Sequence, residues 1–389
     1  MNVLVVNAGS SSLKYQLLNT DTREVFAKGN CERIGIDGSF IGHEENGVKD
    51  KLEVELPDHR TAIKHVFDIL KTVDAPIEGI GHRVVQGGWY FPESAVVTDE
   101  TLGWVREVAP LAPLHNYAEA DVIEICREMF PELGNVIVPD TAFHYNMPEK
   151  AWRYAIPRDV VDKYHVRKYG AHGTSHRFIW RTVHEMMGDK THKLVSCHLG
   201  SGASLCAIED GKCMDTTMGL TPLDGLIMGT RCGTVDPATV FYLNRVAGMS
   251  IDDIDTMMNK QSGLLAVSAK SSDSRDIEEG ANSGDANCQM AMDMFYYRTS
   301  QLFAEMAASM EGVDTMAFTA GIGENSVTMR AGVAERLKWM GVEIDPELNK
   351  IRSDEPRVIS TPDSAITVLV VPTNEELMIA LDVEELLGK

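Results

Sequence analysis

Hydrophobic and polar positions along the chain follow two rhythms. VLVV (3–6) is a short β-branched run and predicts a buried strand, while SLKYQLLN (12–19) alternates as a half-buried strand does. After the turn signal Asn19-Thr-Asp-Thr, EVFAKGNCERI (24–34) predicts a third strand. HRTAIKHVFDILKTV (59–73) and YAEADVIEICREMF (117–130) carry apolar residues at helical spacing. IEGIGHRVV (77–85) reads as a strand running into a loop, and NVIVPDTAFH (135–144) as a strand that ends in polar residues. Strands interleaved with helices predict an α/β fold.

The opening pattern returns in the second half. KLVSCHLGSG (193–202) is again a strand ending in glycines and serine, and ASLCAIEDGKCMDTT (203–217) is a strand, an Asp-Gly turn and another strand. Strand, Gly/Ser loop, strand, turn, strand thus occurs twice. Helices are predicted at 236–247 and 287–311, then TMAFTAGIGENS (315–326) as a strand entering a glycine loop. AITVLVVPTNEELMIALDVEELLG (365–388) closes the chain as strand, polar turn and helix. The 20 methionines cluster at 256–258 and 287–310, where they read as adaptable core filler.

Composition narrows the function. A chain of 389 residues with 44% hydrophobic and 24% charged residues can bury two sizeable cores. The formal net charge of −22 argues against a broad nucleic-acid or anionic-membrane surface, so an anionic substrate would need a local basic pocket. No apolar run approaches the ~20 residues of a membrane helix, and the N-terminus lacks the pattern of a signal peptide. Seven cysteines without a C-x-x-C pair suggest neither a disulfide framework nor a zinc site, and a reducing cytoplasm is the expected compartment.

The polar ends of the strands hold the candidate chemistry. A loop of Gly, Ser and Thr presents several backbone N–H groups in one concavity, where anions sit. Ser10 and Ser12 add hydroxyls there and Lys14 a point charge, although a plain hairpin turn with solvated serines has the same composition. Two such loops, one per half, could hold a polyphosphate between them. AGIGENS (320–326) is a weak dinucleotide signal but a fair place for close backbone approach to a nucleotide. HGTSH places His172 and His176 at i, i+4 without the glutamate of a zinc protease, so His172 suits developing negative charge and His176 a hydrogen-bonded core. Arg83 in GHRVVQGG and Arg231 in MGTRCGTVDP sit among glycines, as bidentate anion binders do, with a structural salt bridge as the alternative. Asp140 and Glu375 each follow a strand and could hold Mg²⁺ or orient a substrate, while Glu376 reads as a cap or solvated turn.

Taken together, NAGSSSLK, HRVVQGG, DTAFH, YGAHGTSH, HLGSG, DTTMGLTPLDGLIMGTRCGTVDP, SGLLAVS, FTAGIGENS and PTNEELMIA closely resemble the acetokinase family, in the family's order from residue 2 to 380. The resemblance implies the duplicated RNase H-like fold of the actin, Hsp70 and sugar kinase type, two domains around a central cleft. It implies ATP + acetate ⇌ ADP + acetyl phosphate with Mg²⁺, or Mn²⁺ in its place, in a homodimer. Carried over by motif, Asn7 and Glu375 belong to the metal site and Lys14 to the phosphates. His198, Leu199, Gly200, Ser201 and Gly202, with Asp273, Ser274 and Arg275 and with Gly321, Ile322, Gly323, Glu324 and Asn325, would line the ATP site. Arg83 would hold the carboxylate, Asp140 is the family's active-site acid, and His172 with Arg231 would stabilise the transition state. Val85, Leu114, Ala171 and Pro222 fall at the positions that wall the acyl group.

The chain departs from the family pattern at several points. Gln86 replaces a histidine, Ala171 a phenylalanine and Ser201 an asparagine, and LHNYAEAD stands for LHNPxN. No charged catalytic group is lost, but the loss of a ring at Ala171 opens a propionate or other short-chain carboxylate kinase as an alternative. An ATP-binding switch of the actin/Hsp70 kind is the alternative from another class. The domains are expected at 1–142 plus a returning helix, 376–389, and at 143–375, the latter with the nucleotide site and the dimer contact.

Overall fold

The computed structural model describes residues 1–388 apart from Leu114. The chain divides into two compact units, Met1–Tyr145 with Asn374–Lys389, and Asn146–Thr373. Glu375 therefore belongs to the first unit, one residue outside the boundary expected from the sequence. The reason is that it opens the terminal helix, Glu375–Leu387, which packs on the first sheet.

The first sheet contains β1 (Asn2–Ala8), β2 (Ser12–Asn19), β3 (Val25–Glu32), β4 (Phe40–Glu45), β5 (Val48–Glu53), β6 (Gly79–Val84), β7 (Ala95–Val96) and β8 (Gly134–Pro139), in the order β5-β4-β3-β2-β1-β6-β8-β7. β1 runs antiparallel to β2 and parallel to β6, and β6 runs parallel to β8. The second sheet contains β9 (Lys193–Leu199), β10 (Ala203–Glu209), β11 (Lys212–Thr216), β12 (Thr315–Thr319), β13 (Arg357–Val358) and β14 (Thr367–Val370), in the order β11-β10-β9-β12-β14-β13. β9 is antiparallel to β10 and parallel to β12, which is parallel to β14. The segment β3-β2-β1-β6-β8 and the segment β11-β10-β9-β12-β14 share one topology, so the sequence repeat is a structural duplication of an RNase H-like core.

Local chemistry explains these elements. Val3 to Val6 are buried because β1 lies mid-sheet with both faces covered. β3 stops at Glu32 rather than running on to Ile34, since Arg33 turns left-handed at φ 60°. Asp210 and Gly211 take φ of 47° and 81°, the type I′ geometry that an Asp-Gly hairpin requires. Asp58 caps helix His59–Leu70 by accepting from Thr61 N at 2.7 Å. Leu4, Val6, Leu13, Leu17, Ile63 and Val66 belong to the core of the first unit. Val195, Leu205, Phe303, Phe318 and Val368 belong to that of the second.

Helix Ala286–Ser309 buries eleven residues, among them Met292, Phe295, Phe303 and Met306, so its apolar stretch is intradomain core. AGIGEN is a short helix, Ala320–Asn325, and not the open glycine loop expected, because Glu324 folds back to accept from Ala320 N at 2.8 Å.

Candidate active site

In the first unit, four elements deliver polar groups around Arg83, which projects from β6. Its Nη2 donates to Asp140 Oδ2 at 2.5 Å, Asp140 being the residue after β8. Its Nη1 donates to Asn7 Oδ1 at 3.4 Å, and its Nε lies 3.8 Å from Glu375 Oε2. The β1–β2 register sets Lys14 opposite Asn7, with the lysine exposed. Between them, Gly9 N donates to Ser12 O at 2.8 Å, while His59 Nε2 bonds Gly9 O at 2.8 Å; Ser10 is exposed at the tip. Asn7, Lys14, Arg83, Asp140 and Glu375 are thus brought together at one end of the sheet.

The helix Asn116–Met129 adds a residue that the sequence reading missed. Glu119 is 2% exposed, and its Oε2 accepts from Val85 N at 3.1 Å while its Oε1 has no partner. Burial pushes its carboxyl up to about 8, against the pull of Arg83 and of the Val85 amide. It lies in the segment that departs from the family pattern, and this departure was the available signal. Next to it, Asn116 and Gln86 exchange hydrogen bonds, Gln86 N to Asn116 Oδ1 at 3.2 Å and Asn116 Nδ2 to Gln86 O at 2.7 Å. That exchange clamps the strand end carrying Val85, itself buried.

The acids around Arg83 and the guanidinium set one another's charge state. Burial, then the charge of Asp140, push the Glu375 carboxyl up to about 7 despite Arg83. Burial alone would depress the Arg83 guanidinium, but Asp140, Glu375 and Glu119 outweigh it and hold its pKa above the ordinary value. Asp140 and Glu375 thus share one arginine, while Glu119, pushed up to about 8, holds its proton at neutral pH. The oxygens of Asn7, Asp140 and Glu375 are the hard donors that Mg²⁺ or Mn²⁺ prefers, so the residues present fit such an ion.

In the second unit, His172 precedes helix Gly173–Met187 in the left-handed region, φ 58°. Its Nδ1 bonds Ser204 Oγ at 2.8 Å, and its ring stacks on His198 with centroids 4.1 Å apart. His198 in turn bonds Ser175 Oγ at 2.8 Å. His176 is fully buried and bonded to Ser196 and Ser204 at 2.9 Å each, a core histidine.

Arg231 donates to Pro222 O at 2.7 Å, which uses the carbonyl of an expected acyl-wall residue. Among the described residues no carboxylate pairs with Arg231, and burial alone lowers its pKa. Gly202 shows how near the two cationic-type groups come. A Cβ there would meet Arg231 Nη2 at 2.7 Å and His172 Nε2 at 3.3 Å. The lack of a side chain at Gly202 lets both converge on the end of the Gly/Ser loop.

The expected nucleotide segments are stitched to that loop. Thr319 pairs with His198 across β12 and β9, and Gly200 N donates to Gly202 O at 3.1 Å. Gly229 N donates to Ser201 O at 3.1 Å, and a Cβ at Gly229 would meet Ser272 O at 3.1 Å, next to Asp273. Leu199 ends β9 fully buried and is a packing residue of the core. Asp273 caps helix Ser274–Asn282, and the Arg275 guanidinium beside it holds its carboxyl down to about 2. Arg275 is 88% exposed. Gly321 and Asn325 face outward, Ile322 is half-buried and Gly323 buried. Ala171 is 3% exposed within the core of this unit, and Leu114 lies outside the described residues.

Arg330 was missed by the sequence reading, since a single arginine in a helix carries no signal. It is 1% exposed, has no acid partner among the described residues, and donates Nη1 to Gly323 O at 2.8 Å and Glu324 O at 2.9 Å. Nε and Nη2 bind Asn349 at 2.6 and 2.7 Å. Burial, with Arg357 nearby, lowers its pKa to about 10. It anchors the short helix 320–325 from below.

Comparisons with known proteins identify the family. The family model described as the acetokinase family matches residues 2–381. A protein of Clostridium perfringens named acetate kinase 2 is 47% identical over 401 residues, covering all of both chains. The crystal structure of Porphyromonas gingivalis acetate kinase is 41% identical with a TM-score of 0.94, over 100% of both chains. A propionate kinase from Francisella tularensis is 37% identical with the same TM-score, over 99% of each. A match over nearly every residue, on a duplicated fold with the motif residues at its strand ends, places this chain in the acetokinase family.

Proposed function

We infer that the protein is an acetate kinase, moving the γ-phosphoryl group of ATP to acetate and back. The observation that carries this reading is Arg231 beside His172 at Gly202, a half-buried guanidinium with no acid against it among the described residues. Such a group is suited to an anion that arrives. In phosphoryl transfer, charge collects on three equatorial oxygens of a loose, metaphosphate-like transition state. Arg231 and His172 donate to those oxygens, Arg83 holds the acetate carboxylate and Lys14 meets the phosphates. The Gly/Ser loop His198–Gly202 and the segments 273–275 and 320–325 take the nucleotide.

Acetate is already ionised at neutral pH, so its attack needs no general base. Asp140, bonded to Arg83, therefore orients that guanidinium. Mg²⁺ held by Asn7 and Glu375, with Asp140 nearby, would neutralise charge on the polyphosphate. The incubation that tests the reading contains ATP, Mg²⁺ and acetate, propionate or butyrate, with acyl phosphate trapped as hydroxamate. Acetyl hydroxamate is expected, and none from any acid would sink the reading. Hydroxamate from propionate at a higher kcat/KM would favour the propionate alternative, to which the small residue at Ala171 points.

A homodimer in the cytoplasm completes the proposal. Helix Ala238–Ala247 buries no residue, with Phe241, Tyr242 and Val246 55%, 64% and 65% exposed, and a second copy would cover it. Light scattering at micromolar concentration checks it, and a monomer mass would refute it.

A further inference from the structure

We propose that Ser204 is a positioning residue that sets the tautomer and the ring orientation of His172. It would do so as the hub of a hydroxyl–imidazole relay, His172–Ser204–His176–Ser196. The proposal rests on the reading of His172 as a phosphoryl-contacting group and assigns roles to residues outside the expected site.

The geometry is a closed chain. Ser204 Oγ lies 2.8 Å from His172 Nδ1 and 2.9 Å from His176 Nε2, and His176 Nδ1 lies 2.9 Å from Ser196 Oγ. Ser196, Ser204 and His176 are all fully buried. A serine hydroxyl carries one proton, so Ser204 donates to one ring and accepts an N–H from the other. In one arrangement His176 Nε2–H donates to Ser204, Ser204 donates to His172 Nδ1, and a neutral His172 carries its proton on Nε2. In the reverse arrangement His172 carries Nδ1–H, and its Nε2 can donate only if the ring is charged. Because both nitrogens of His176 meet hydroxyls, His176 can satisfy either arrangement.

The surroundings select the first. Nε2 is the His172 atom that lies toward Gly202, across which Arg231 Nη2 sits. The Nε2–H tautomer places a donor there, toward an arriving phosphoryl oxygen. The Ser204 bond also helps hold His172 in its left-handed backbone conformation.

The test uses the whole chain with ¹⁵N-labelled histidine. In the wild type, the His172 nitrogens should report a neutral ring protonated on Nε2. Ser204→Ala should remove the hydrogen bond at Nδ1, move both His172 nitrogen shifts, and lower kcat on the order of 10–100-fold, as loss of a ring-orienting partner does, with KM for ATP and acetate little changed. Ser196→Ala, one step further away, should move the His176 shifts and reduce kcat less. A wild-type His172 protonated on Nδ1 while neutral would overturn the proposal, even if the alanine variant does not fold. Unmoved His172 shifts with wild-type kcat in folded Ser204→Ala would overturn it as well. Were the wild type to make no acyl phosphate, the functional reading would fall while the nitrogen shifts still decided the relay.

Discussion

Gly202→Ala separates the site from the fold. The backbone at Gly202 is not left-handed, so alanine is sterically allowed there by φ and ψ. The added Cβ would lie 2.7 Å from Arg231 Nη2, short of ordinary contact by about 0.7 Å, and 3.3 Å from His172 Nε2. The atoms that must yield are the tips of side chains rather than backbone, so the fold absorbs the change cheaply. Replacing glycine also removes disorder from the unfolded chain, and net stability should stay within about 1 kcal/mol of wild type. Catalysis has no such freedom. Misplacement by 1 Å costs about 100-fold, so a forced shift approaching that size should cost about 10–100-fold in kcat/KM, roughly 1.4–2.7 kcal/mol of transition-state stabilisation. The hydroxamate assay and a thermal melt on the same preparation measure both quantities. Gly103→Ala is the control, because a Cβ there meets nothing within 4 Å on a helix of the first unit. If Gly202→Ala keeps its melting temperature and stays within threefold of wild-type kcat/KM, the convergence of Arg231 and His172 is not what drives the reaction.

Other perturbations read other parts of the structure. Arg330→Met orphans the carbonyls of Gly323 and Glu324 and the Asn349 side chain, and should cost at least about 3 kcal/mol in urea melts while raising KM for ATP more than KM for acetate; an unmoved KM for ATP would confine Arg330 to stability. Ala171→Phe should raise the preference for acetate over propionate in kcat/KM and cost about 1–3 kcal/mol through overpacking at a buried position, and an unchanged ratio would show that the acyl group does not meet this residue. Glu119, ordinarily near 4.5 but pushed up to about 8 in the fold, stays protonated while the unfolded chain ionises, so its contribution to stability falls as pH rises across that interval. Glu119→Gln should therefore flatten the pH dependence of urea stability between pH 5 and 7.5, by on the order of 2–3 kcal/mol, and an identical slope in both proteins would refute the shift.

The buried strands were legible because β-branched runs closed by glycines have few other readings. Both halves of the duplication, the Asp210-Gly211 hairpin and the terminal helix could be read that way. The hairpin of β4 and β5 was missed although Asn46-Gly47 adopts φ of 51° and 76°, the same turn geometry; β5 is exposed at every position and carries no apolar period. AGIGEN read as a loop because glycine weakens helix propensity, and the Glu324 side chain that closes it acts through space. Arg83, Asp140 and Glu375 were found as strand-end residues, but their mutual distances are a product of strand order. Glu119 and Arg330 were missed for the opposite reason, since each sits on an ordinary helix and matters through what it touches in the fold.

The terminal helix has a consequence for how the molecule is made. Gly79, Gly81 and Gly134 lie under it, where a Cβ would strike Val383 at 2.9 Å, Ile379 at 2.5 Å and Leu387 at 2.6 Å. The first unit is therefore finished by residues that are synthesised after the whole of the second. Domains usually mature in the order of synthesis, yet here the second unit, continuous from Asn146 to Thr373, is the one that can close first. Until Glu375–Leu387 has emerged, the nascent chain holds an apolar sheet face uncovered and Arg83 without Glu375. A chain cut before Glu375 would lack both the cover of its oldest sheet and one of the acids at Arg83, so the same short segment completes the first unit's core and its polar cluster together.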